Sequence, residues 1–87
     1  MREATIERAV TAHAKAHGWL SFKWVSPSQR GVPDRLFFKA GHLVMVEFKA
    51  PGKAPTEYQQ VIHRRLLGVG FKVHVIDNVE AGRALLC

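Results

Sequence analysis

Residues 31–51, GVPDRLFFKAGHLVMVEFKAP, decide how this chain is read. Arg35–Lys39 and Leu43–Lys49 are two apolar strand candidates around Ala40-Gly41-His42. A two-residue turn with Gly41 in first place suits a type II′ hairpin. Alternate residues of a strand share a face. Leu43, Met45, Glu47 and Lys49 therefore point one way, and Val44, Val46 and Phe48 the other. A turn at Gly41–His42 sets Asp34 opposite Lys49. A turn one residue earlier sets Asp34 opposite Glu47. Both registers gather Asp34, Glu47 and Lys49 on one face, whereas an odd-length loop would send Asp34 to the other.

Two neighbouring carboxylates repel and raise one another's pKa. A hard divalent cation removes that cost by binding both through oxygen, and Mg²⁺ is typically held by one or two carboxylates plus substrate phosphate oxygens. Such a cation eases deprotonation of a water and neutralises charge developing on phosphorus. A lysine beside it can orient the attacking water or stabilise the transition state. The trio therefore suits metal-assisted hydrolysis of a phosphodiester. Taken separately, E-x-K is an ordinary strand-end ion pair and Asp34 an ordinary turn residue after proline.

Outward from the hairpin, Arg2–His17 is alanine-rich and helix-like, with Ile6, Val10, His13, Ala14 and His17 in one arc, Glu3 inside it and Glu7 on its border. Gly18 stops this helix. Trp19–Val25 alternates Leu20, Phe22 and Trp24 with Ser21 and Lys23, a strand signal. SPSQRGVP is a loop. Beyond the loop APGKAP, Thr56 opens a helix to about Leu67, with Thr56 and Gln59 at capping-box spacing. Its apolar face holds Tyr58, Val61, Ile62 and Leu66. Phe71–Ile76 is a last strand. Asp77 or Asn78 caps a short helix, Val79–Leu86, weakened by Gly82. The order α-β-β-β-α-β-α predicts an α/β fold: a mixed sheet flanked by helices, with a parallel crossover through the Thr56 helix.

The 87 residues suffice for one small domain, residues 1–87, without repeats or linkers. No apolar run reaches the roughly 18 residues of a membrane helix. Glu3 and Glu7 stand where a signal peptide would be basic and apolar, and the one cysteine, Cys87, excludes an intramolecular disulfide framework, so a cytoplasmic protein is expected. The net charge of +6 and pI near 10.1 point to a polyanionic partner such as DNA, RNA or an anionic membrane surface.

"GVPDR" followed by "VEFKAPGK" resembles the PD-(D/E)XK nuclease superfamily, and more narrowly the VRR-NUC (virus-type replication-repair nuclease) family. The likeness covers nearly the whole chain, through "SPSQRGVPDR" and "YQQVIHRRLLGVGFKVHVID". It implies a restriction-endonuclease-like core. The shortness resembles stand-alone viral and bacterial members, similar in organisation to Holliday junction resolvases. It implies a Mg²⁺- or Mn²⁺-dependent DNA endonuclease in replication, repair or recombination, inside a bacterial or phage-infected cell. Asp34 and Glu47 look like the metal-binding carboxylates, the Phe48 main-chain carbonyl like a further ligand and Lys49 like the catalytic lysine. The spacing to the helix-ending glycine selects Glu7 over Glu3 as the helix glutamate of the site. The family's helix glutamine falls on Gln59, for which the capping box is an equal reading. The family more often has leucine where Phe48 stands.

Arg30, Arg35, Lys53, Arg64 and Arg65 are candidate phosphate contacts, a source of affinity and salt dependence with little sequence specificity. His63 is grouped with Arg64 and Arg65 as approaching phosphate. His13 and His17 have i, i+4 spacing but lack a third metal ligand. Trp19 and Trp24 are read as core or interface. A minimal core, and the two cuts a four-way junction requires, predict a two-fold homodimer. The rival reading is a basic module that binds nucleic acid without cutting it.

Overall fold

A computed structural model describes residues 1–87 as α1 (Glu3–Ala16), β1 (Leu20–Lys23), β2 (Arg35–Lys39), β3 (His42–Phe48), α2 (Glu57–Gly68), β4 (Val73–Ile76) and α3 (Val79–Leu85). The strands form one sheet in the order β1-β2-β3-β4. β1, β2 and β3 pair antiparallel and β4 joins β3 in parallel, which is the mixed sheet and crossover the element order predicts.

The hairpin turns one residue earlier than the II′ expectation. Lys39 faces His42, so the turn residues are Ala40 and Gly41, with φ of 50° and 79°. Positive φ at both central positions makes it a type I′ turn, and Gly41 takes its second place. Arg35 pairs with Val46. Carried one residue further, this register sets Asp34 opposite Glu47.

That register sorts the sheet into two faces. On one, Phe37, Val46, Phe48 and Ile76 pack with Ile6, Val10 and Ala14 of α1 and with Leu86, all buried. Full burial of such a side chain contributes about 1.5–3 kcal/mol. Gly82 lets α3 approach α1, because a Cβ there would run into the Val10 side chain. The glycine that weakens α3 locally is thus required by helix packing.

The other face carries Leu20, Phe22, Leu36, Phe38, Leu43, Met45 and Glu47. α2 covers it only over β3 and β4. Ile62 is the buried residue of α2, while Tyr58 and Val61 of the expected apolar face stay exposed. Leu20 and Phe22 are 58% and 55% exposed, so the β1 alternation lies on a largely uncovered surface. The GVPD loop is fixed against α2. Gly31 has φ +85°, and a Cβ there would stand 2.9 Å from the Tyr58 carbonyl oxygen. Pro33 is fully buried beside it in sequence.

Candidate active site

The polar trio lies where the GVPD loop, the end of β3 and the start of α2 meet. Asp34 leads into β2. Its Oδ2 accepts a 2.7 Å hydrogen bond from the Phe48 backbone N–H, which locks it to the end of β3. Glu47 is 1% exposed, although strand alternation gives it the same orientation as exposed Leu43. α2 is what covers it. Gln59 Nε2 donates to Glu47 Oε2 at 3.1 Å, and Lys49 Nζ stands 3.9 Å from the same oxygen. His63, one turn further along α2, places Nε2 3.6 Å from Glu47 Oε1. Lys49 and His63 keep only 13% and 14% of their side chains exposed.

Both readings of Gln59 are realised in one side chain. The Thr56 hydroxyl accepts from Gln59 N, Gln59 Oε1 accepts from Thr56 N, and Gln59 Nε2 is left to donate to Glu47. The capping box aims the amide at the carboxylate.

Burial pushes the Glu47 pKa up to about 8, and the charge of Asp34 and a side-chain hydrogen bond with it act in the same direction. Lys49 opposes the shift without cancelling it. Burial, followed by the charge of Lys49, lowers the His63 pKa. Glu47 Oε1 and His63 Nε2 are both buried and have no hydrogen-bond partner.

Glu7 stands apart from this cluster, contrary to the spacing argument that favoured it over Glu3. Its Oε2 accepts from Arg35 Nε at 2.7 Å and lies 3.7 Å from Lys23 Nζ. Arg35 pairs with Val46, so it and Glu7 occupy the α1 side of the sheet, opposite Glu47. Glu3, a full turn earlier on α1, is the helix carboxylate whose charge reaches Glu47 and raises its pKa. Residues i and i+4 share a helix face, so periodicity favours neither; the position of the helix end beside the Asp34 loop decides.

The basic residues divide similarly. Arg35 is held by Glu7 and by Ser21 Oγ at 3.3 Å. Arg30 stacks on Tyr58, 4.8 Å from the ring centroid. Lys53, Arg64 and Arg65 are exposed. His63 turns inward, away from the grouping with Arg64 and Arg65, and its i+4 relation to Gln59 is the sequence signal that would have found it. His13 and His17 stack on one another at 4.0 Å, and His17 Nδ1 is 2.8 Å from the His13 carbonyl oxygen, a helix-end arrangement with no third ligand.

No three His, Cys, Asp or Glu side chains form a complete metal cage. The donors nevertheless fit a hard divalent cation that keeps waters and takes substrate oxygens. A buried carboxylate with one oxygen unpartnered and its pKa raised by a second carboxylate is a group that bound positive charge would relieve.

No family model matches the chain. It is 41% identical over 86 residues to "Putative nuclease p44" of Acyrthosiphon pisum secondary endosymbiont phage 1, an alignment spanning 98% of this chain and 92% of that protein. A solved structure described as a VRR_NUC domain superposes with a TM-score of 0.87 at 25% identity, covering 95% of this chain and 91% of that one.

Proposed function

Because the chain belongs to the VRR-NUC nuclease family, we propose that it is a divalent-metal-dependent DNA endonuclease acting through Asp34, Glu47, Lys49 and Gln59. The observation that carries this reading is buried Glu47, with one oxygen held by Gln59 and Lys49 and the other unpartnered. A purely binding module gains nothing from a buried carboxylate of raised pKa, which costs stability unless charge is supplied to it.

Asp34, Glu47 and the Phe48 carbonyl would hold Mg²⁺ or Mn²⁺. The cation supplies Lewis-acid charge to the attacking water and to the phosphoryl oxygens. The ammonium of Lys49 lies beside Glu47 Oε2, where it can hydrogen-bond the attacking water and stabilise charge on the phosphoryl group. Gln59 fixes the rotation of the Glu47 carboxylate and leaves Oε1 facing the site. Glu3 adds negative potential at Glu47 and strengthens cation binding there. Glu7 acts indirectly, orienting Arg35 beside Asp34 in sequence. Lys53, Arg64 and Arg65, exposed on the loop and helix that flank the cluster, are free to contact phosphates.

Branched or structured duplex is the proposed substrate, cut by a two-fold homodimer. The support for the dimer is the uncovered sheet face. Leu20 and Phe22 are over half exposed, and Phe22 meets Phe38 edge to face at 6.3 Å. A flat self-complementary surface can pair about a two-fold axis and present two sites to a symmetric junction.

The test is cleavage of labelled four-way junction, flap, single-stranded and linear duplex DNA with Mg²⁺, Mn²⁺ or EDTA. Metal-dependent cutting that Lys49→Ala and Glu47→Gln abolish is the expected result, with the junction cut best. Salt-sensitive binding without cutting under either metal would instead establish the binding module. Sedimentation of wild type and Phe22→Glu checks the dimer: the variant should be monomeric, and a monomeric wild type, alone and on junction DNA, would remove it.

A further inference from the structure

Three features of His63 are unexplained by its position on α2. It faces the carboxylate cluster when its neighbours Arg64 and Arg65 face solvent. Its Nε2 is buried without a partner. The atom it faces, Glu47 Oε1 at 3.6 Å, is likewise buried without a partner.

The separation discriminates among ways of satisfying the two atoms. A nitrogen–oxygen hydrogen bond spans about 2.7–3.2 Å, so 3.6 Å is too long for the pair to satisfy each other. A water bonded to both atoms at about 2.8 Å and a near-tetrahedral angle would hold them roughly 4.4 Å apart, so the gap is too short for a bridging water. Donors bound to one metal at about 2.1 Å, with an angle of about 90–120° between them, stand about 3.0–3.6 Å apart. The observed gap lies at the upper end of that interval. Leaving both atoms unsatisfied would cost about 1–3 kcal/mol for each.

The remaining valences are accounted for. Gln59 and Lys49 engage Glu47 Oε2, and the Phe48 N–H engages Asp34 Oδ2. The cluster thus turns one carboxylate oxygen and one ring nitrogen toward a common point. Burial keeps the imidazole in its neutral form, which carries a lone pair on one ring nitrogen.

We propose that His63 Nε2 is a direct ligand of the divalent cation that Asp34 and Glu47 hold, making a mixed nitrogen–oxygen site. This rests on the metal reading above and extends it to a residue on α2. Imidazole suits transition metals, whereas Mg²⁺ prefers oxygen and water. The site therefore favours Mn²⁺ over Mg²⁺, and His63 is the residue that sets the preference.

The experiment is electron spin-echo spectroscopy of the Mn²⁺-loaded protein, wild type, His63→Ala and His63→Gln, unlabelled and with ¹⁵N-histidine. The expected result is an imidazole nitrogen coupling in wild type that changes with the isotope and vanishes in both variants, each confirmed as folded by circular dichroism. Calorimetric titration should show Mn²⁺ binding weakened by at least about tenfold in both, the scale on which even outer ligands of a metal matter, with Mg²⁺ binding little altered. Bound Mn²⁺ without imidazole coupling, or with coupling that survives in the variants, overturns the role of His63 and leaves the carboxylate site standing. Failure of wild type to bind Mn²⁺ overturns both.

Discussion

Phe48 and Glu47 are adjacent on β3, both are essentially inaccessible to solvent, and they face opposite sides of the sheet. Phe48 enters a wholly apolar core between α1, α3 and the sheet. Glu47 enters a site roofed by the first half of α2, where every contact oriented toward it is polar or charged. The contrast shows that burial serves different ends on the two faces. On the α1 side it contributes folding free energy. On the α2 side it raises the pKa of a carboxylate and leaves an oxygen without a partner, a local cost that a bound cation can offset.

Substitutions can separate the two faces. Phe48→Ala should cost about 3–5 kcal/mol, a large share of the stability of so small a domain. It retains the main-chain carbonyl, so urea unfolding should shift strongly while cleavage per folded molecule persists. Lys49→Ala should do the reverse: cleavage falls by about 10²–10³-fold, with a nearly unchanged urea midpoint. If Lys49→Ala unfolds the protein instead, the division between faces fails.

The third prediction concerns pH. The folded-state pKa of Glu47 is raised, so between its ordinary value and about 8 the unfolded chain has lost a proton that the folded chain retains. Folding is then disfavoured as pH rises through that window. Below about 6.5 the lowered histidines His13, His63 and His74 act in the opposite direction, because folding opposes their protonation. The clean window is pH 6.5–8. Without metal, thermal stability should decline across it in wild type and remain nearly flat in Glu47→Gln. Added Mn²⁺ should restore wild type at pH 8 by mass action and have little effect on the variant. A flat wild-type profile would contradict the raised pKa.

The smallest effect tests the double use of Gln59. Thr56→Ala removes a helix cap worth about 1 kcal/mol and leaves the Gln59 amide beside Glu47, so unfolding shifts slightly and cleavage is nearly retained. Gln59→Ala loses a similar amount of stability and also slows cleavage. Equal cleavage in the two variants would reduce Gln59 to a cap.

The sequence by itself determined the seven elements, their order and the parallel crossover. Apolar period, glycine stops and turn residues act locally, and each was legible at its own position. It also marked Ile6, Val10 and Ala14 as one helix face and placed Asp34, Glu47 and Lys49 on one side of the sheet in either even-turn register. The tertiary structure decided what depends on distance between elements. The type I′ turn at Ala40–Gly41 chose the register that sets Asp34 opposite Glu47, because both candidate turns use Gly41 and differ by one residue. The docking of α1 brought Glu3 to the cluster and paired Glu7 with Arg35. The partial cover by α2 left Leu20 and Phe22 exposed, and it turned Gln59 and His63 onto Glu47. Periodicity states which side of an element a residue occupies. What lies across from that side is settled only when the elements pack, and the chemistry of this site resides in that gap.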